Sequence, residues 1–333
     1  MQRNLKNLRS FIITTCLTVS LIIYAGNVVR PITDCDTCID TINTFHDMPK
    51  NSFEVIGFGS SHMWKGVNAM EMYKSYGVGA YNYGANWQAL NTTLLFMQDA
   101  FKTQSPKVVL IECFKVAEIL KDTDVTGEIY YTRELPESRE KHEYLKQCFG
   151  NDIERWLSYY MPLCAFHNNW INLTTESFMW NSSTTDYAKT MGSELWDLYG
   201  YAAIPNPNTF QQWELPEESI EILDQIVALC RKNNAEIIFF TTPHQGEYVY
   251  NNAMAAYAEA NDCVYINMFE SELLQSMDLR GEDFYDLGHT NTIGATKIAN
   301  YLASYIVENY DVTDMRTIEN NIWEQSLNTI STQ

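Results

Sequence analysis

The chain is poor in basic residues: its 333 residues include 22 Lys and Arg against 42 Asp and Glu, a formal net charge of −20. Nucleic-acid backbones are bound by clustered Lys and Arg, so this composition excludes a nucleic-acid partner. It also argues against adsorption of the globular part to an anionic membrane surface. Repeats of solenoid length and low-complexity tracts are missing too, which leaves an ordinary globular protein of one or two domains.

The eight cysteines follow no clear disulfide framework. Cys35 and Cys38 form a Cys-x-x-Cys motif, and because there is no second such motif a zinc site is not expected. A redox pair would need the motif at a helix start within a βαβ unit, which a position close to the N-terminal apolar run does not suit. A local disulfide and two simple thiols remain as alternatives, and we expect neither a metal nor a cofactor.

The N-terminus carries one long apolar run, from Phe11 to Val29. Basic residues precede this run and acidic residues follow it: Arg3, Lys6, Arg9, Asp34, Asp36 and Asp40. Nineteen residues just span a bilayer, and the charges place the N-terminus inside the cell and the rest outside the cytoplasm. A cleaved signal peptide is the alternative, although residues 23–27 offer poor small-x-small cleavage sites. We expect an uncleaved single-pass anchor over residues 1–30, followed by a linker over residues 31–50.

Apolar segments alternate with segments of helical spacing along most of the remaining chain. The predicted strands cover residues 53–58, 79–84, 107–113, 235–241 and 263–268, and the predicted helices cover residues 70–76, 88–101, 217–233, 248–260 and 295–305. Nearly continuous apolar strands are typical of a parallel sheet buried on both faces. The alternation predicts an α/β fold, a three-layer αβα (flavodoxin-like) doubly wound sheet of about five strands, over residues 51–310.

Two segments depart from this alternation. Residues 116–212, rich in Tyr, Trp, Asn and Glu, exceed any ordinary loop, and we interpret them as an insertion or cap over the sheet edge. Its aromatic residues would form a sugar-stacking platform or pack in the core: Tyr130, Tyr131, Trp156, Tyr159, Tyr160, Trp170 and Trp180. Residues 311–333 are polar, and we expect a loosely attached tail.

The stretch from Phe53 to Gly66 combines an apolar strand, a glycine turn and a helix start. Ser60 and Ser61 follow Gly59 there, at the carboxyl edge of the predicted sheet, where open α/β folds bind ligands. Backbone N–H groups of the helix start lie beside such a serine hydroxyl. A serine in this place is also a common helix N-cap, so the pattern alone leaves both roles open.

A second polar group of residues lies near the other end of the chain, where Asp286 and His289 precede the last predicted helix. An Asp and a His three residues apart in a glycine-bearing turn can meet a serine on a neighbouring strand end. Imidazole titrates near neutral pH and can take the proton of a serine hydroxyl. A carboxylate beside the imidazole fixes its tautomer and stabilises its charged form.

The early Gly-x-Ser and the late Asp-x-x-His together resemble the SGNH/GDSL hydrolase superfamily. In that superfamily the second residue after the glycine is the nucleophile, which nominates Ser61. More narrowly, the chain is similar to a membrane-anchored Gram-positive bacterial branch with a Gly-Ser-Ser-His nucleophile motif. The similarity extends over about residues 52–306, apart from a stretch near 118–145. It rests on Gly59-Ser60-Ser61-His62, Tyr81-Asn82-Tyr83-Gly84, Pro106-Lys-Val-Val-Leu110, Tyr160-Met-Pro-Leu163 and His167-Asn-Asn-Trp170.

This resemblance implies a serine esterase or O-acyltransferase outside the cytoplasm, with Ser61, His289 and Asp286 as its catalytic triad. Its substrate would be an acylated carbohydrate of the cell envelope or another small ester. The alternative is a catalytically weak or inactive binding or scaffold subunit of an envelope polysaccharide modification system. The membrane itself is a partner through the N-terminal helix, and a membrane-bound acyltransferase is a candidate protein partner.

The resemblance also implies an oxyanion hole formed by the backbone N–H groups of Ser61 and Gly84. The superfamily's third donor, an Asn after the third strand, is missing, because that strand continues as Glu112-Cys-Phe-Lys115. The side-chain amides of Asn86 and Gln88 are candidate replacements, or they satisfy backbone groups of the turn.

Two further histidines lie close to the predicted sheet edge. His244 follows a strand end, where substrate contact and structural hydrogen bonding are equally expected. His62 adjoins the nucleophile, and we expect its side chain to point away from the site as the helix begins.

Overall fold

A parallel sheet of five strands forms the centre of the protein, in the order β2-β1-β3-β4-β5. The computed structural model describes residues 2–330, except residues 31–33, 124, 126, 128, 179–186, 202–210 and 247. The strands are β1 Val55–Phe58, β2 Ala80–Asn82, β3 Val108–Glu112, β4 Glu236–Thr241 and β5 Val264–Asn267. The predicted α/β class, the parallel direction and the strand number are confirmed.

The helices of the described residues lie before, between and after these strands. In chain order they are α1 Gln2–Val29, α2 Asp34–Asp47, α3 Ser61–Trp64, α4 Ala69–Tyr76, α5 Leu90–Ala100, α6 Arg139–Phe149, α7 Ile153–Tyr160, α8 Pro162–Phe166, α9 Tyr187–Thr190, α10 Glu217–Lys232, α11 Asn251–Ala260, α12 Ser271–Ser276, α13 Thr292–Asn309 and α14 Ile322–Ile330. The chain moves from β1 to β2 in one direction and from β2 to β3 in the other. Right-handed crossovers therefore place α4 and α5 on opposite faces. Since α13 packs on α4 and α10 packs on α5, the fold has three layers.

Three of the five strands are buried along their whole length, as their apolar sequences predict. All residues of β1, β2 and β3 are buried, which is typical of a parallel sheet covered by helices on both faces. The strand order reverses at β1, because β2 and β3 pair with its two edges. In such a sheet the crevice at the carboxyl ends of the strands beside the reversal is the usual ligand site. Here it lies at the ends of β1 and β3.

The insertion between β3 and α10 contains α6, α7 and α8, and α8 packs against α1. Three of its tyrosines are buried in the core: Tyr130, Tyr131 and Tyr159. Core packing therefore explains them, rather than a sugar-stacking platform. Tyr160 and Trp170 are exposed, and Trp180 lies outside the described residues.

Two segments expected to lie outside the core are packed into it. Within the expected linker, α2 buries Ile39, Ile42 and Phe45, and the ring of Phe45 stacks on that of Tyr83 at 4.0 Å between centroids. Within the expected tail, Trp323 is 1% exposed and its indole N–H donates to the carbonyl of Ala80 at 3.2 Å. Both segments are polar on average, but a few apolar residues at suitable spacing suffice to bury one face of a short helix.

Candidate active site

The turn after β1 separates the roles of its two serines. Gly59 has a φ of +147°, which favours glycine, and a Cβ there would lie 2.7 Å from the Cβ of Glu112. The hydroxyl of Ser60 accepts a hydrogen bond from the N–H of His62 at 3.3 Å and so caps α3. Ser61 is the first residue of α3, and its hydroxyl is not used by the cap.

The structure brings Ser61, His289 and Asp286 together at the carboxyl edge of the sheet. Nε2 of His289 lies 2.8 Å from Oγ of Ser61, and Nδ1 lies 2.9 Å from Oδ2 of Asp286. The other carboxylate oxygen, Oδ1, accepts the N–H groups of Gly288 and His289, each at 2.7 Å. The carboxylate is therefore fixed by backbone donors and holds the imidazole with one nitrogen directed at the serine.

The protonation states of this group suit proton transfer at neutral pH. Burial lowers the pKa of His289, and the positive charge of Lys65 lowers it further, while the hydrogen bond and negative charge of Asp286 oppose both. For Asp286, burial alone would raise the pKa. Hydrogen bonds from His289 and the backbone outweigh it and hold the pKa below its usual 3.8. A neutral imidazole beside an ionised carboxylate is the state that a general base requires.

A stack of aromatic rings supports one side of His289. The rings of Tyr285 and His289 are nearly parallel with centroids 5.5 Å apart, and Trp196 stacks on Tyr285 at 4.9 Å. The ammonium of Lys65 lies 4.4 Å from the ring centroid of Trp196, a cation–π contact. Trp196 comes from the insertion, and no motif in the sequence marks it as part of the site.

His62 lies beside His289, in contrast to the expectation that it points away. The two ring centroids are 5.2 Å apart, and the His62 ring stacks on Phe114 at 3.9 Å. Its Nδ1 lies 3.1 Å from Oγ1 of Thr242. Burial, followed by the charges of neighbouring groups, lowers the pKa of His62 well below its usual value, so the ring is neutral and acts as packing for the site.

For His244, substrate contact and a structural role were equally expected, and the structure favours the structural role. It is buried, with Phe114 and Phe269 at ring distances of 5.0 and 5.2 Å. Burial lowers its pKa to about 4, so the ring is neutral. A buried ring between two phenylalanines fits core packing better than contact with substrate.

Of the two backbone donors expected for the oxyanion hole, only that of Ser61 is unengaged among the described residues. The N–H of Gly84 donates to Oδ1 of Asn82 at 3.2 Å. A Cβ at Gly84 would lie 2.9 Å from the backbone nitrogen of Trp64, so close packing on α3 explains this glycine. The amide of Asn82 donates in turn to the carbonyl of Met63 at 2.7 Å and ties α3 to β2.

Neither candidate side-chain donor makes a hydrogen bond to Ser61, and the Nε2 of Gln88 is buried without a partner among the described residues. Gln88 is buried, and its Oε1 accepts the N–H of Gly59 at 2.9 Å, so the residue supports the serine turn from behind. The backbone N–H of Asn86 donates to Sγ of Cys38 at 3.2 Å, and the Asn86 side chain makes no hydrogen bond to Ser61 or to another described residue. Cys38 is buried, while the side chain of Cys35 lies outside the described residues.

Glu112 is a site residue that the sequence analysis did not propose. It ends β3, is 4% exposed, and its Oε2 accepts the hydroxyl of Ser60 at 3.0 Å while Oε1 accepts the N–H of Phe114 at 2.8 Å. Burial raises its pKa to about 8, although these two hydrogen bonds oppose the rise. The available signal was a single carboxylate at the end of an otherwise apolar strand.

Comparisons with known proteins identify no family for this chain. No protein-family model matches the sequence, and no curated protein matches it. Among solved structures, the chain is similar to a protein from Bacteroides fragilis NCTC 9343 that is provisionally assigned as an acylhydrolase. The two share 14% identity over 80% of this chain and 93% of that chain, with a TM-score of 0.39. A likeness at this distance carries no argument about function.

Proposed function

We propose that this protein is a serine esterase or O-acyltransferase with Ser61 as its nucleophile. The observation that carries the proposal is the pair of contacts made by His289, at 2.8 Å to the Ser61 hydroxyl and at 2.9 Å to the Asp286 carboxylate. Serine, histidine and carboxylate in this order form the arrangement that activates a hydroxyl on several unrelated folds.

In the proposed reaction, His289 takes the proton of Ser61 as the hydroxyl oxygen attacks the carbonyl carbon of an ester. The tetrahedral intermediate then collapses, and the same proton passes to the departing alcohol, which leaves an acyl group on Ser61. His289 next activates water or a sugar hydroxyl, which takes the acyl group and restores the serine. Hydrolysis and transfer differ only in this second acceptor. Asp286 holds the imidazole tautomer and stabilises the imidazolium.

We place this reaction outside the cytoplasm, on acyl esters of cell-envelope polysaccharide. The helix α1 supports a membrane anchor, because residues 7–24 are all exposed and mostly apolar. The end of this helix supports an uncleaved anchor, because Gly26, Val28 and Val29 are buried against the rest of the protein. A signal peptide is removed from the mature protein and has no such place in its core.

A second candidate function is favoured by the state of the oxyanion hole. The N–H of Gly84 is engaged by Asn82. Glu112 ends β3 and accepts the N–H of Phe114, in the region where the superfamily has its Asn. Loss of one donor typically lowers the rate of a serine hydrolase by about 100- to 1000-fold. The protein would then be a weak or inactive binding subunit that serves a membrane-bound acyltransferase.

Covalent trapping separates these two functions. A serine-directed phosphonate is expected to modify the tryptic peptide 51–65, and fragmentation by mass spectrometry should place the adduct on Ser61 rather than Ser60. Ser61→Ala should abolish the adduct. His289→Gln should strongly slow adduct formation without changing the melting temperature of the protein. Absence of an adduct on Ser61 in the folded wild-type protein would instead support the binding subunit.

A further inference from the structure

The insertion exposes an unusual number of large apolar side chains. The apolar patch consists of Ile153, Leu157, Tyr160, Met161, Trp170, Ile171 and Phe178, all of them exposed. The first four recur along α7 and its end at spacings of four, three and one residues, so they share one helical face. Soluble surfaces rarely expose apolar groups in such concentration without a partner.

The apolar patch adjoins the membrane helix. Leu163 and Pro162 of α8 pack against Gly26, where a Cβ would lie 3.2 Å from the backbone nitrogen of Leu163. The amide of Asn169 donates to the carbonyl of Val29 at 2.9 Å. The segment that carries the patch is therefore fixed against the outer end of α1.

We use the exposed stretch of α1 to place this contact relative to the bilayer. Residues 7–24 are exposed and residues 25–30 are buried or half-buried. At about 1.5 Å per residue the exposed stretch is about 27 Å long, close to the roughly 30 Å of a hydrocarbon core. We therefore place the hydrocarbon boundary near Tyr24. Pro162 and Leu163 of α8 lie at this level, because they line a cavity with Ile22 and Ile23 and pack against Gly26. Tyr24, Tyr160 and Trp170 are of the residue types enriched at such interfaces.

A cavity between α1 and the insertion is apolar at one end and charged at the other, as a lipid molecule is. It measures about 580 Å³ and is lined by Val19, Ile22 and Ile23 at its membrane end and by Arg30 and Arg133 at its outer end. Its two glutamates lie next to basic groups, Glu134 at 3.4 Å from Arg30 and Glu137 at 2.8 Å from Lys141. With three basic and two acidic groups, the outer end has a net positive charge, which suits a phosphate head group above an acyl chain.

We propose that the apolar patch inserts into the outer leaflet of the bilayer, so that the insertion forms a second membrane contact beside α1. This inference rests on the anchoring of α1 in the membrane given under the proposed function, but it does not depend on any catalytic activity. The occupant is lipid rather than a soluble protein, because Tyr160 and Met161 of the patch line the same cavity as Val19, Ile22 and Ile23 of the exposed stretch of α1. The contact would hold the catalytic domain at a fixed height and orientation above the membrane.

The test uses the full chain in nanodiscs of phosphatidylglycerol and phosphatidylcholine, prepared with and without a phosphatidylcholine that carries a nitroxide near its head group. An environment-sensitive NBD label is attached at Leu157→Cys or Ile171→Cys, with Val307→Cys as the matched control. Val307 is exposed on α13, in the opposite helical layer to the one that carries the insertion. Cys16, Cys164 and Cys263 are accessible or half-buried, and these three cysteines, together with Cys35, are first replaced by serine.

Labels at Leu157 and Ile171 should be quenched weakly by aqueous iodide and strongly by lipids that carry a nitroxide near the head group. The label at Val307 should be quenched strongly by iodide and weakly by these lipids. Intact mass verifies that α1 is present, and melting temperature verifies that each labelled variant is folded. Iodide quenching of both patch labels equal to that at Val307 would overturn the inference and indicate a protein partner or bare solvent. Because no activity is measured, this failure is distinguishable from failure of the phosphonate test.

Discussion

Replacement of Glu112 by glutamine should remove a pH-dependent loss of stability. Burial raises the pKa of Glu112 from its ordinary 4.5 to about 8. The folded state therefore holds this proton more tightly than the unfolded state, and stability falls as the pH rises from 4.5 towards 8. The interval of about 3.5 pH units corresponds to about 5 kcal/mol, at about 1.36 kcal/mol per unit.

Glutamine has the shape of the protonated glutamate and cannot ionise. Its oxygen can still accept the N–H of Phe114, and its amide can donate to the hydroxyl of Ser60. We expect similar unfolding free energies for wild type and Glu112→Gln near pH 4.5. The wild type should then fall below the variant by several kcal/mol towards pH 9.

Urea unfolding of the full chain in detergent micelles, followed by tryptophan fluorescence at a series of pH values, measures this difference. Glu236→Gln serves as the control, since Glu236 is an exposed glutamate at the start of β4 and its replacement should leave the pH dependence unchanged. Parallel pH dependence of the wild type and Glu112→Gln would refute the reasoning. Such a result would mean that the carboxylate is ionised or hydrated in the folded protein.

Two other substitutions test the site and the fold. Lys65→Met removes a positive charge that lowers the pKa of His289, so the acid limb of kcat/KM for an ester substrate should move to higher pH. An unmoved limb would contradict this charge coupling. Trp323→Ala should lower the unfolding free energy by about 3–5 kcal/mol, because it empties a fully buried site. Trp213→Ala, at a tryptophan that is 55% exposed, should change it little, and equal effects in urea unfolding would argue against the packing of α14.

Much of the fold could be predicted because its signals are local. The strands β1, β3 and β4 are short apolar runs between helical segments, and that pattern predicts a parallel sheet before any contact is known. The packed helices α2 and α14 were missed, because short amphipathic helices in polar segments give a weak periodic signal. Only the rest of the structure provides the surface against which Phe45 and Trp323 are buried.

The features of the candidate site also divide into those that the sequence predicts and those that only the structure shows. Glycine, serine and histidine motifs nominated Ser61, His289 and Asp286 because each motif has its own local chemistry, although Ser61 and His289 are 228 residues apart. Sequence could not show that Asn82 engages the N–H of Gly84, or that Glu112 accepts the hydroxyl of Ser60.

The sequence by itself determined the sheet, the apolar N-terminal helix and the residue types available for the proposed acyl chemistry. The tertiary structure decided which donors remain open, which carboxylate is buried and which apolar face lies beside α1. The physical reason is that periodicity and turn chemistry act between near neighbours in the chain. Hydrogen-bond partners, burial and pKa values depend instead on groups that only folding brings together.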